Sequence, residues 1–234
     1  MDVDWRGSGL SGVARATVYC TTFWGLGVSK LTDEKFSAVM DSIASCSPAP
    51  GGGTAAALAG VMAASLVEMV TNLTLGRKKY AAVQDEMTAL AREVRELRGA
   101  LGELAAEDAR AYEEVMDAYK LPKASGEEQA RREVAIEKAL HRAAQVPLRT
   151  AEAALAVMER AEIVSVRGNQ NAATDAAVAH LLGSASVKGA LMNVVVNLQT
   201  LNSRPEWAQL LSEQCANIAA REQELTRLML IRQN

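Results

Sequence analysis

Residues 47–60 read SPAPGGGTAAALAG: two prolines and three successive glycines opening onto small apolar residues. Three readings compete. A phosphate loop of the G-x-x-x-x-G-K-[ST] type needs a lysine for the phosphates and a preceding strand, and neither is present. A membrane helix needs roughly 20 apolar residues, whereas here TAAALAGVMAASLV runs only as far as Glu68. What remains is a helix start at Gly51, Gly52 and Gly53 whose first N–H groups are uncovered, a seat for an anionic or carbonyl-bearing ligand. A tight turn with no ligand is the plainer alternative. Beyond it, Ala55, Ala56, Ala59, Gly60, Ala63 and Ala64 repeat at three- and four-residue spacing, which lets another backbone approach closely. The segment therefore reads as a buried central helix or as a self-associating surface.

Helical periodicity extends in both directions. Upstream, Phe36, Val39, Met40 and Ile43 fall at i, i+3, i+4 and i+7, with Thr32 as N-cap. Downstream, 82–119 and 127–161 are rich in Ala, Glu, Arg and Leu and are separated by KLPKASGEE, a stop and restart that predicts a helical hairpin. RGNQNAATD breaks the chain at Gly168 before a helix running to about residue 202. SRPEWAQLL starts the last helix, with Pro205 near its first turn. No useful stretch alternates with period two. The expectation is an all-α, multihelical bundle around a buried, small-residue-rich helix, with residues 30–234 forming one domain.

The 234 residues, 49% hydrophobic and 23% charged, suffice for one sizeable core. A net charge of −3, from 25 basic and 28 acidic residues mixed along the chain, argues against nucleic acid or an anionic membrane as partner. Cys20, Cys46 and Cys215 lie far apart, without disulfide or zinc spacing, which fits a reducing cytoplasm. His141 and His180 have no H-x-x-x-H or E-x-x-H partner, so no metal site is expected. Residues 1–29 carry no helical period, and Arg15 interrupts what would be the apolar centre of a secretory signal. They read as a disordered extension, and as a segment that a start codon set too far upstream would add.

SPAPGGGTAAALAGVMAASLVEMVTNLTLGRKKY, EDARAYEEVMDAYKLPK, RAAQVPLRTAE, GNQNAATDAAVA and GALMNVVVNLQTL, in this order and spacing, resemble the cyclodeaminase/cyclohydrolase family over roughly residues 31–202. That family comprises the carboxy-terminal domain of formiminotransferase-cyclodeaminase and stand-alone bacterial relatives. The resemblance implies an all-helical fold, at least a homodimer, and chemistry on a tetrahydrofolate substrate with no metal and no tightly bound cofactor. The leading expectation is hydrolysis of 5,10-methenyltetrahydrofolate to 10-formyltetrahydrofolate. Formimidoyltetrahydrofolate cyclodeamination, which releases ammonia, is the alternative, and a non-catalytic folate-binding or interaction protein is the reading from another class.

Either reaction needs a general base, a proton shuttle and a negative group near positive charge, and one carboxylate can serve all three. By resemblance that carboxylate is Asp108. Read independently, Asp108, Tyr112, Val115 and Tyr119 share one helix face, so a carboxylate lies on a half-apolar stripe with Tyr112 a turn away; a solvated aspartate at the edge of a charged face is the alternative. Lys120 is a candidate for a pterin carbonyl or a substrate carboxylate, or a cation at a helix end. Lys78, in the GRKKY cluster, is a candidate for the folate tail, or again a solvated helix end. Asn169, Asn171 and Asp175 surround the GNQN break and are expected to contact ligand. Asn193 and Asn197, one turn apart in an apolar helix, suit either pterin contacts or hydrogen bonds between helices. The helix start at Gly51–Gly53, Asp108 and the GNQN break are expected to converge on one cleft.

Overall fold

A computed structural model describes residues 35–201 and 204–233. Six α-helices account for most of them: α1 (Phe36–Ile43), α2 (Gly52–Thr74), α3 (Gln84–Lys120), α4 (Gly126–Arg167), α5 (Ala173–Gln199) and α6 (Glu206–Gln233). Short 3₁₀ segments, Lys78–Val83 and Gln170–Ala172, lead into α3 and α5. Among the described residues there is no strand.

Helix α2 is the axis of the bundle, packed on α3, α5 and α4, while α6 lies across α4 and α5. Small side chains make this possible. Ala56, Ala57, Gly60, Ala63 and Ala64 are buried on α2, whereas Ala55 faces outward. At Gly60 a Cβ would sit 2.9 Å from Ser186 Oγ of α5 and 3.0 Å from Leu101 Cδ2 of α3, so neighbours on both sides approach to the van der Waals limit. The apolar run ends before Glu68, but the helix does not. That carboxylate is buried but paired with Arg95 Nε at 2.9 Å and Arg98 Nε at 3.1 Å, so the helix continues to Thr74. By length and hydropathy both α2 and the Gln170–Gln199 window could cross a membrane; 56% of the α2 window is buried in the bundle, against 33% of the other.

The predicted hairpin is present with sharp ends. Ser125 Oγ accepts the Glu128 N–H at 3.2 Å and Glu128 Oε2 accepts the Ser125 N–H at 3.1 Å, a complete capping box that starts α4. Helix α4 then runs through Pro147, which is buried at its centre. Proline has no N–H, so the Ala143 carbonyl one turn earlier loses its helical donor. Asn197 Nδ2 of α5 donates to that carbonyl at 2.7 Å. One expectation changes near the start. Helix α1 buries only Val39, and Phe36 is 70% exposed. Lys35, with no side-chain cap, precedes this helix. The proposed Thr32 cap, the domain start near Lys30 and the 1–29 extension lie outside the described residues.

Candidate active site

Gly51 precedes helix α2 with no side-chain cap, and the first turn carries no acidic residue. Its amino-terminal partial charge is met instead from α3. Asp108 Oδ2 accepts the Thr54 hydroxyl at 3.0 Å, and the carboxylate also accepts from the Thr54 backbone N–H. The same hydroxyl lies 3.3 Å from the Ala105 carbonyl, a second acceptor within reach. A Cβ on Gly53 would fall 2.2 Å from Asp108 Oδ1, so the carboxylate occupies the space that any other residue at 53 would fill. At Gly53 the glycine-rich start, expected to seat a ligand, holds the protein's own anion.

Burial pushes the Asp108 carboxyl above its ordinary value, and the two hydrogen bonds from Thr54 only partly counter this. Asp108 remains half-buried rather than sealed. Around it, Gly52 and Asn193 are close: a Cβ at 52 would lie 3.7 Å from Asn193 Nδ2. That amide donates to the Gly189 carbonyl of its own helix at 2.9 Å. Tyr112 stands one turn beyond Asp108 and is 37% exposed. Leu104, Ala111, Ala143 and Val146 form the apolar floor between α3 and α4. Glu107 turns away to Arg149 of α4 at 2.9 Å. The arrangement offers a raised-pKa carboxylate, held by a hydroxyl and an N–H, at the open end of a helix, which suits proton transfer to or from a bound molecule.

The remaining candidates separate from this cluster. The Asn169 backbone N–H donates to Thr74 Oγ1 at 2.8 Å and its side-chain amide to the Leu73 carbonyl at 3.0 Å, closing the far end of α2. Twenty-two helical rises put that end about 33 Å from Gly52. The GNQN break therefore does not join the Asp108 cleft within one chain: the amide expected to meet ligand satisfies the Leu73 carbonyl in the last turn of α2. Asn171 is exposed there, Asp175 lies in the first turn of α5, and Lys78 is exposed on the adjoining 3₁₀ segment. Tyr80 accepts the Gln170 N–H on its hydroxyl at 3.1 Å. Lys120 pairs with Asp117 at 2.9 Å and lies 12 residues, about 18 Å, along α3 from Asp108. It serves as the cation of a helix end. Asn197 is held by the Ala143 carbonyl, a contact between helices.

Thr54 escaped the sequence reading. Nothing in the run TAAALAG distinguishes a hydroxyl that faces α3 from one that caps its own helix, and only the close approach at Gly53 reveals it. Among the described residues no three His, Cys, Asp or Glu side chains come together as metal ligands would.

A model of the formiminotransferase-cyclodeaminase family matches residues 35–217. The chain is 42% identical over 172 residues to the methenyltetrahydrofolate cyclohydrolase of Methylorubrum extorquens, covering 74% of this chain and 83% of that one. It is 32% identical over 171 residues to the formimidoyltransferase-cyclodeaminase of Rattus norvegicus, of whose length the match spans only 32%. Its fold superposes on the crystal structure of a formiminotetrahydrofolate cyclodeaminase from Thermotoga maritima with a TM-score of 0.76 and 29% identity, over 85% of this chain and 94% of that one. With the family model spanning most of the chain and a 42% identical relative covered along most of its length, this protein belongs to the formiminotransferase-cyclodeaminase family.

Proposed function

We propose that this protein hydrolyses 5,10-methenyltetrahydrofolate to 10-formyltetrahydrofolate, with Asp108 as general base. The observation that carries the reading is the Asp108 carboxylate at the mouth of α2, more basic than an ordinary aspartate, in a chain 42% identical to a methenyltetrahydrofolate cyclohydrolase. The carboxylate takes a proton from water as the oxygen bonds to the cationic methenyl carbon. The same proton then passes to N5 as the carbon–N5 bond breaks, and the hydroxyl left on that carbon loses its own proton to water, leaving a neutral formyl group on N10 and the carboxylate regenerated. The negative charge also favours the cationic substrate before attack. Asn193, Tyr112 and the Gly51–Gly52 backbone stand where they could orient the pterin.

Cyclodeamination is the second reading, favoured by the fold match to a formiminotetrahydrofolate cyclodeaminase. There Asp108 would take the proton from N10 as it attacks the formimino carbon, and ammonia would leave. Absorbance assays distinguish the two: loss of the methenyl band supports hydrolysis, and its appearance from 5-formiminotetrahydrofolate supports deamination, each abolished in Asp108→Asn. Neither signal would leave a folate-binding protein without turnover.

We infer further that the working unit is a homodimer. Val178, Leu181, Met192, Val195 and Val196 are exposed on one face of α5 at 100° per residue, and Met62 of the neighbouring α2 is exposed as well. A two-fold axis perpendicular to these helices would bring the Gly51–Thr54 end of one copy toward the Lys78–Asp175 end of the other. Light scattering of the protein against a Met192→Glu, Val196→Asp variant tests the dimer. Recovery of activity on mixing Asp108→Asn with Asn171→Ala protein tests the shared site.

A further inference from the structure

Helices α2 and α3 run antiparallel: Thr54 meets Asp108, Gly60 faces Leu101 and Glu68 pairs with Arg95. Because α2 begins at Gly52, its cover over α3 ends level with Asp108, while α3 runs on to Lys120, about 18 Å farther. The covered face keeps its apolar character past that point. At about 100° per residue, Val94, Leu101 and Ala105 share roughly 80° of arc with Tyr112, Val115 and Tyr119. The first three are buried beneath α2, whereas Tyr112 is 37% and Tyr119 42% exposed. Helices α4 and α5 continue alongside: Arg142 pairs with Glu114 at 2.7 Å, and Asn197 reaches the Ala143 carbonyl. Where α2 is missing, the three helices leave a trough that opens at Asp108, with Ala143 and Val146 in its floor. Helix α1 packs extensively on no other helix among the described residues and leaves both rings uncovered.

The far end of the trough is basic. The Arg132 guanidinium of α4 lies over the Tyr119 ring, 5.6 Å from its centroid, and donates through Nε and Nη2 to the Tyr119 carbonyl at 3.4 and 3.2 Å. Its neighbours Lys120 and Arg142 have carboxylate partners, whereas Arg132 is held by a neutral carbonyl and keeps its other N–H groups to offer. Two aromatic rings between a proton-transferring carboxylate and a fixed guanidinium suit a ligand with a flat ring in its middle and a carboxylate at its end. A folate has that order: pterin and one-carbon unit, then p-aminobenzoyl ring, then glutamate. Tyr112 stands one turn from Asp108, about 6 Å, and Tyr119 three turns, about 17 Å. Resting on the folate reading of Asp108, we propose that this trough is the subsite for the substrate's tail, the p-aminobenzoyl ring lying between Tyr112 and Tyr119 over Val115 and a glutamate carboxylate reaching Arg132.

The probe is N-(4-aminobenzoyl)-L-glutamate, which carries the tail without the pterin, titrated into the full chain and read by saturation-transfer NMR. Its control is 4-aminobenzamide, which lacks the glutamate. The glutamate compound should bind about tenfold more tightly than the control, and Arg132→Gln, whose amide can still serve the Tyr119 carbonyl, should cancel that advantage. Tyr119→Ser should weaken both compounds roughly fivefold with the helical signal unchanged. Absence of saturable binding, equal affinity for the two compounds, or an advantage that survives Arg132→Gln would overturn the proposal. So would a second copy lying on these rings, seen as a lower light-scattering mass in Tyr119→Ser with probe binding unmoved. The readout needs no turnover: probe binding by a protein that leaves the methenyl band unchanged keeps the tail subsite and removes the hydrolase reading, and turnover without probe binding does the reverse.

Discussion

The Asp108 carboxylate lies where the Cβ of any residue other than glycine at position 53 would be, 2.2 Å from Oδ1 and 2.6 Å from Cγ. An aspartate has too short a side chain to yield and still reach Thr54. Gly53→Ala should therefore swing the carboxylate off the start of α2 while keeping the helix, since alanine is the better helix former. A displacement on the order of 1 Å costs about 10²-fold in rate, so kcat should fall by roughly that factor with the circular dichroism unchanged. Undiminished turnover would remove Asp108 from the mechanism.

Asp108→Asn separates function from stability. The native carboxyl is raised above 3.8, so the folded protein binds its proton more readily than the unfolded chain, and stability falls as pH rises from 3.8 through the raised value. At neutral pH the ionised group is thus a net cost that asparagine avoids, while its carbonyl can still accept from Thr54. Denaturant titrations should show the variant at least as stable as the native protein at pH 7, the gap closing as pH approaches 3.8, with turnover lost.

Thr54 is a positioning residue whose signature lies in the pH profile. Its hydroxyl and N–H favour ionised Asp108, against the larger effect of burial. Thr54→Val removes the hydroxyl, so the acid limb of kcat against pH should move to higher pH. Thr54→Ser, which keeps the hydroxyl, should restore it. An unshifted limb in the valine variant would mean that the hydroxyl serves Ala105 alone.

Acid should weaken the fold at His180. Burial holds this imidazole below 6.5, outweighing the pull of Glu162 and Glu222. The unfolded chain then binds the proton first, so stability contributed by the neutral ring is complete above 6.5 and declines as pH falls below it. Melting the native protein and His180→Gln side by side from pH 7.5 to 5.5 should show the native protein losing ground to the variant across that range.

Much of this fold was legible because its signals are local. Helical period, the Ser125 restart and the break at Gly168 each depend on residues within a turn or two, and the small-residue run of α2 marked the centre. The match of Gly53 to Asp108 was legible only as two separate features. Nothing in either segment states that one helix supplies the anion for the other. Asn169 misled for the same reason: an amide at a chain break suits a ligand or a helix end equally, and the choice falls to Leu73 and Thr74, 95 or so residues away. Phe36 followed the apolar period of α1 yet stays 70% exposed, because periodicity marks a face without showing what covers it.

Pro147 and Asn197 impose an order of events on sequence drift. While the proline stands, losing the asparagine strands the Ala143 carbonyl in the interior, a loss of about 1–3 kcal/mol. Once Pro147 has become alanine, the main chain can serve that carbonyl itself and position 197 is released to carry a leucine. The two replacements are therefore tolerable in one succession and penalised in the other, so lineages in which position 147 lost its proline first are the ones free to vary at 197.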